Sequence, residues 1–233
     1  YRDLVERQRR LQGADHPVTA MALHLLGGAL ENQERFAEAE AAYQEALDIR
    51  EIRLGPSHAE TMSSALGVAS AWAGQGRVAE AVEMTSRSLP VIRDAVGPDH
   101  NQSINAERDL ARFVYAAGDY GAAERAYREL LARVLRVRGP EHWWAVEARH
   151  GLGRALLRNG RTSEALEELT VAHEAARDDA RAGSTRLSLA EAHIELGHAD
   201  VADSLLAVGR DSASLSREDV VRLRELRERL GGR

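Results

Sequence analysis

Apolar residues return along this chain at three- and four-residue steps. Leu23, Leu26 and Leu30 share one helical face, as do Ala39, Tyr43, Ala46 and Leu47. The pattern predicts helices in pairs: Pro17–Asn32 with Phe36–Leu54, Ala59–Gly74 with Val78–Val96, Asn101–Ala117 with Tyr120–Arg138, and Trp143–Asn159 with Thr162–Arg177. Short turns holding Gly76, Gly118 and Gly160 join the members of a pair and force them antiparallel. Gly-Pro dipeptides stop the second helix, because proline disfavours a helical residue before it. Pro90 falls inside a second helix, where a lost hydrogen bond predicts a kink and the least regular part of the array.

The pairs are copies of one another. Gly55-Pro56-Ser57-His58 returns as Gly97-Pro98-Asp99-His100 and Gly139-Pro140-Glu141-His142, with a weaker copy at Gly13-Ala14-Asp15-His16. His16, His58, His100 and His142 stand 42 residues apart, as do Ala39, Ala81, Ala123 and Ala165. An internal period of this size means stacked units sharing one continuous core. The chain divides accordingly into a truncated helix (1–12), four repeats (13–55, 56–97, 98–139, 140–179), a shorter fifth repeat (180–210) and a capping helix (211–233). The fifth repeat, at a step of 37, predicts helices over Gly183–Leu196 and Ala199–Val208. The last helix, Arg217–Leu230, has Ser216 as N-cap and one apolar stripe, Val220, Leu223, Leu226 and Leu230. Tyr1 is in phase with Tyr43 and Tyr127, so the chain starts in mid-repeat and reads as a piece of a longer protein.

Composition narrows the picture. Aromatic residues are only 4% of the chain, which suits helices packed through small side chains rather than a sheet sandwich. The absence of cysteine excludes disulfides and thiolate metal sites and fits a reducing compartment. A net charge of −6 argues against general nucleic-acid binding, and no apolar run is long enough to cross a bilayer. Every basic residue is arginine, a usage typical of GC-rich bacterial genes, so a bacterial, cytoplasmic protein is expected.

The columns resemble the tetratricopeptide repeat in its lengthened 42-residue form, as in kinesin light chains and many bacterial regulators. The resemblance rests on Leu26-Gly27, Val68-Ala69, Leu110-Ala111, Leu152-Gly153 and Leu189-Ala190 in the first helices. In the second helices it rests on Ala39, Ala81, Ala123, Ala165 and Ala202. It implies an all-α, right-handed α-solenoid whose concave face, lined by the first helices, binds a peptide or protein segment without catalysis. The kinesin light chain's asparagine ladder is absent: that column reads Leu25, Gly67, Asp109 and Gly151. The family context is that of a larger regulatory protein, such as a serine/threonine kinase or a signalling switch.

Candidate chemistry is confined to binding. Equivalent histidines of successive repeats are spread along the array and cannot converge on one metal ion. They are read instead as bonding the turn between repeats. Without lysine no phosphate-binding Walker loop exists, no H-E-x-x-H occurs, and neither a catalytic site nor a cofactor is expected. The positions facing the groove are Met21, His24, Gly28 and Glu31, then Ser63, Leu66, Ser70 and Ala73. The next two helices bring Asn105, Arg108, Arg112 and Tyr115, then Glu147, His150, Arg154 and Arg158. The partner site is therefore placed at Asn105, Arg108, Arg112, Tyr115, His150, Arg154 and Arg158, where four guanidinium groups suit an acidic segment or a terminal carboxylate. A competing reading pairs these arginines with Asp109, Glu107 and Glu147 on the same helices. Of Trp143 and Trp144, one is expected in the core and one partly exposed, since neighbours on a helix point about 100° apart. Self-association, as a homodimer, or packing within a parent protein is the alternative to a free groove.

Overall fold

The structure, a computed structural model, describes residues 1–176, 182–207 and 217–231. All regular structure among these residues is helical: α1 Arg2–Gln12, α2 Pro17–Glu31, α3 Phe36–Leu54, α4 Ala59–Gly74, α5 Val78–Val96, α6 Asn101–Ala116, α7 Tyr120–Arg138, α8 Trp143–Arg158, α9 Thr162–Ala175, α10 Ala182–Glu195, α11 Ala199–Ala207 and α12 Arg217–Gly231. They form two compact units, Tyr1–Gly118 with α1–α6 and Asp119–Arg233 with α7–α12. The helix limits follow the sequence reading closely; Asn32, Ala117 and Asn159 turn out to be C-caps just past the helices. The expected N-cap Ser216, along with Arg177 and Val208, lies outside the described residues.

In the first unit α2 packs on α3, α3 on α4, α4 on α5 and α5 on α6. Ala39 and Ala81 are fully buried at the crossings. Tyr43 is the largest filler: its ring lies between α2 and α4, and a Cβ added at Gly67 would stand 2.4 Å from it. Glycine at 67 is thus a packing requirement. In the second unit Tyr127 and Gly151 repeat the arrangement, at 2.3 Å. The ladder column is therefore empty where tyrosine projects from the preceding helix, and Asp109 stands where that helix carries the smaller Thr85.

The junctions that begin at Gly13, Gly55, Gly97 and Gly139 are closed by local hydrogen bonds. The Nδ1 atoms of His16, His58, His100 and His142 accept from the backbone N–H two residues on, at 3.1–3.2 Å, so each imidazole is an N-cap. The hydroxyls of Thr19, Thr61 and Ser103 donate to the carbonyls of Gly13, Gly55 and Gly97 at 2.6–2.8 Å. Ala145 occupies that column in the second unit and has no hydroxyl to give. The turn inside each pair uses a left-handed residue: Gly76, Gly118, Gly160 and Gly197 have φ between 73° and 86°. In the first repeat Glu34 fills this column at φ 59°, the one non-glycine residue with positive φ among those described.

Pro90 does not interrupt α5, which runs from Val78 to Val96. The proline is exposed, and so is Ser86, whose carbonyl lost its amide partner and can bond water instead.

Candidate functional site

Within the first unit, α2, α4 and α6 line a cavity of about 690 Å³. Of the groove positions expected on these helices, all but Met21, Gly28 and Tyr115 contribute to its wall. The floor is α4, whose Ser63, Gly67, Ser70 and Ala73 are too small to fill the space. The walls are polar. On one side stand His24 and Glu31 of α2 with Tyr43 behind them; on the other stand Asn105, Arg108, Asp109 and Arg112 of α6. Gln102 ties α6 to α4 by donating to Ser63 Oγ at 3.0 Å.

Asp109 organises the α6 wall. Its carboxylate is paired with Arg108 at 3.1 Å and with Arg112 at 3.5 Å, and 15% of its side chain is exposed. Arg112 leaves 53% of its side chain in solvent and lies over the Phe113 ring at 5.2 Å. Glu107, by contrast, is buried and faces away, bonded to Arg93 of α5 at 2.7 Å. The reading that pairs the arginines with neighbouring acids thus describes the Asp109 cluster, while Glu107 serves the core. Tyr115 is half-buried further along α6.

On the α2 wall the Tyr43 hydroxyl donates to Glu31 Oε2 at 2.7 Å. Burial, and then the Glu31 charge, push the phenol well above its usual pKa, so it remains a donor. His24 packs edge-on against the Tyr43 ring, and its Nδ1 is buried with no hydrogen-bond partner among the described residues. Desolvation, helped by Arg50, lowers its pKa to about 4, so it is neutral at pH 7. Arg50 itself is buried, bonding the Glu60 carbonyl at 2.9 Å and Ser64 Oγ at 2.8 Å. Sequence reasoning placed Glu31 on the groove but left it out of the partner site, and missed Tyr43 and Asp109 as wall residues, because it sought a cationic patch. The tyrosine–glycine alternation was the available signal.

The remaining expected residues lie in the second unit. His150 is half-buried and closely surrounded; its Nε2 is 2.8 Å from Ser188 Oγ of α10. Desolvation, then the charges of Arg154 and Arg222, lower its pKa to about 3. Arg154 is half-buried, and Arg158 is exposed with Glu191 of α10 at 3.9 Å. Arg222 of α12 donates to both Ser188 and Glu191. Trp144 is buried, whereas Trp143 beside it is 37% exposed.

The tetratricopeptide repeat model matches residues 1–52, 59–135 and 105–178. The chain belongs to the tetratricopeptide repeat family. No curated protein matches it. Among solved structures it resembles a Podosopora anserina protein described as a kinesin light chain with nearly identical TPR-like repeats. That likeness has a TM-score of 0.70 at 21% identity and covers 91% of this chain and 96% of that one. It also resembles a Rap protein complexed with Competence and Sporulation Factor, with TM-score 0.76 at 16% identity, over 97% of this chain and 61% of that one. A third likeness is to the Rap conjugation gene regulator of plasmid pLS20 in complex with the Phr* peptide, with TM-score 0.69 at 14% identity, over 84% of this chain and 53% of that one. The chain thus spans a little over half the length of these two Rap chains. At these identities the likeness is one of fold, the all-α solenoid of antiparallel helix pairs. No helix among the described residues is long and apolar enough to cross a membrane.

Proposed function

We propose that this chain is a non-catalytic interaction module that binds an extended peptide or protein segment in the groove of its first unit. The cavity over α4 carries the reading: it is lined by three first helices and by side chains that can hydrogen-bond a peptide backbone. Arg112, more than half exposed beside Asp109, offers a charge-assisted contact to an acidic side chain or terminal carboxylate. The Rap structures solved with Competence and Sporulation Factor and with the Phr* peptide add support by fold. His150, Arg154 and Arg158 lie in the second unit.

Panning a random-peptide phage library on the intact chain tests the reading. A Ser70→Trp variant, which fills the groove floor while circular dichroism confirms its helices, is the comparison. Peptides retained by the wild type should be lost on the variant; equal retention would overturn the assignment. A second reading, self-association, draws on the exposed apolar pair Met21 and Leu25 of α2. Sedimentation across a concentration series decides it, since a monomer at all concentrations removes it.

A further inference from the structure

The charges lining the cavity of the first unit are separated by wall. On α6 the guanidinium of Arg112, 53% exposed, reaches the Asp109 carboxylate only at 3.5 Å, and Arg108 stands closer to that carboxylate at 3.1 Å, so Arg112 keeps most of its charge turned to the cavity. On α2 the situation is reversed. The Glu31 carboxylate takes the Tyr43 hydroxyl at 2.7 Å and meets no cation among the described residues. His24 beside it is neutral at pH 7 and adds no compensating charge. Between the walls, α4 contributes no charge to the cavity. A carboxylate has two oxygens and about four acceptor sites, and one neutral phenol leaves most of them open. In a protein-walled recess such a charge interacts more strongly with a cation than it would in open water.

We infer that the groove selects a dipolar segment, one that sets a basic side chain against Glu31 and a carboxylate against Arg112 across the uncharged floor of α4. This rests on the groove reading above and adds a direction to it. A segment laid the other way would bring its base to the arginines and its acid to Glu31, and like charges brought together penalise the wrong register. The ligand is therefore not simply acidic, as the arginines alone suggest. Glu31 is the side chain that demands the base.

Glu31→Gln separates this from a purely structural role, because the amide oxygen still accepts from the Tyr43 hydroxyl while the charge is gone. The same phage library is panned on the wild type, Glu31→Gln and Arg112→Gln. The wild type is expected to enrich peptides with a basic and an acidic residue at fixed separation. Glu31→Gln should lose the basic position and keep the acidic one, and Arg112→Gln the reverse. A synthetic peptide of the enriched sequence should bind Glu31→Gln about tenfold more weakly, with a smaller salt dependence. Peptides that are lost on Ser70→Trp but show the same charge pattern on Glu31→Gln as on the wild type would overturn this inference and leave the groove reading standing. Failure to enrich any peptide over Ser70→Trp would remove both.

Discussion

The first unit keeps the face of α2, α4 and α6 open; the second covers the corresponding side chains of α8, α10 and α12 with one another. In the first, small residues on α4 leave about 690 Å³ empty, and the wall charges stay in reach of solvent. In the second, Glu191 is only 7% exposed and is surrounded by Arg158, Arg222 and Arg229, while His150 and Arg222 both reach Ser188. The same helix-pair plan underlies both. What differs is the size and charge of the side chains at equivalent positions, so the plan of a repeat makes a groove available and the individual side chains decide whether it stays open.

Acid is the sharpest way to break the comparison. His24 and His150 are held neutral when folded, with pKa values of about 4 and about 3. The unfolded chain takes up these protons near pH 6.5, so stability is flat above that pH and falls as pH drops toward the folded values. Each histidine contributes up to about 1.4 kcal/mol per pH unit, or about 5 kcal/mol for both by pH 4.5. Denaturant titrations across pH should show this slope. His24→Gln should flatten it for the first unit and His150→Gln for the second, and an unchanged slope in both would mean the histidines are not desolvated.

Removing Arg222 comes next. Arg222→Met strips the nearest cation from a buried carboxylate and should cost about 3 kcal/mol, with amides of α12 and α10 losing exchange protection first. If protection is lost from α2 to α6 instead, the two faces are not independently built. Gly67→Ala forces a Cβ into the Tyr43 ring and should cost about 2 kcal/mol, much of it recovered by Tyr43→Leu in the same chain. The smallest effect has the opposite sign. Glu34→Gly relieves a left-handed glutamate and should stabilise the first unit by about 1 kcal/mol in thermal unfolding.

Much of this was open to reading in the chain. The helix limits were legible because each is marked twice, by periodicity and by a glycine or Gly-Pro stop, and the two marks coincide at Leu54–Gly55 and Val96–Gly97. The groove column was legible too: Asn105, Arg108 and Arg112 do line one cavity. What could not be read was the ownership of charge. The pairing of Arg108 and Arg112 with Asp109 stood only as one of two competing readings, while Glu107 turns inward to Arg93, and Arg158 meets Glu191 thirty-three positions on, a contact set by stacking rather than spacing. The histidine column stood out in sequence as a bond to the turn, yet nothing there indicated that the ring nitrogen itself caps the next helix. Glu34 was hidden for a simpler reason: the glycine column starts only at Gly76, and its first member is not a glycine.

The junctions carry one further consequence. The bonds that close them, from His58 to the Glu60 amide and from Thr61 to the Gly55 carbonyl, begin and end within seven consecutive residues. A recombination event that removed or duplicated one 42-residue block at Gly55 and Gly97 would leave every such bond with both of its partners. The seams are self-contained, so a gene of this kind can lengthen or shorten in whole repeats without relearning how to turn a corner.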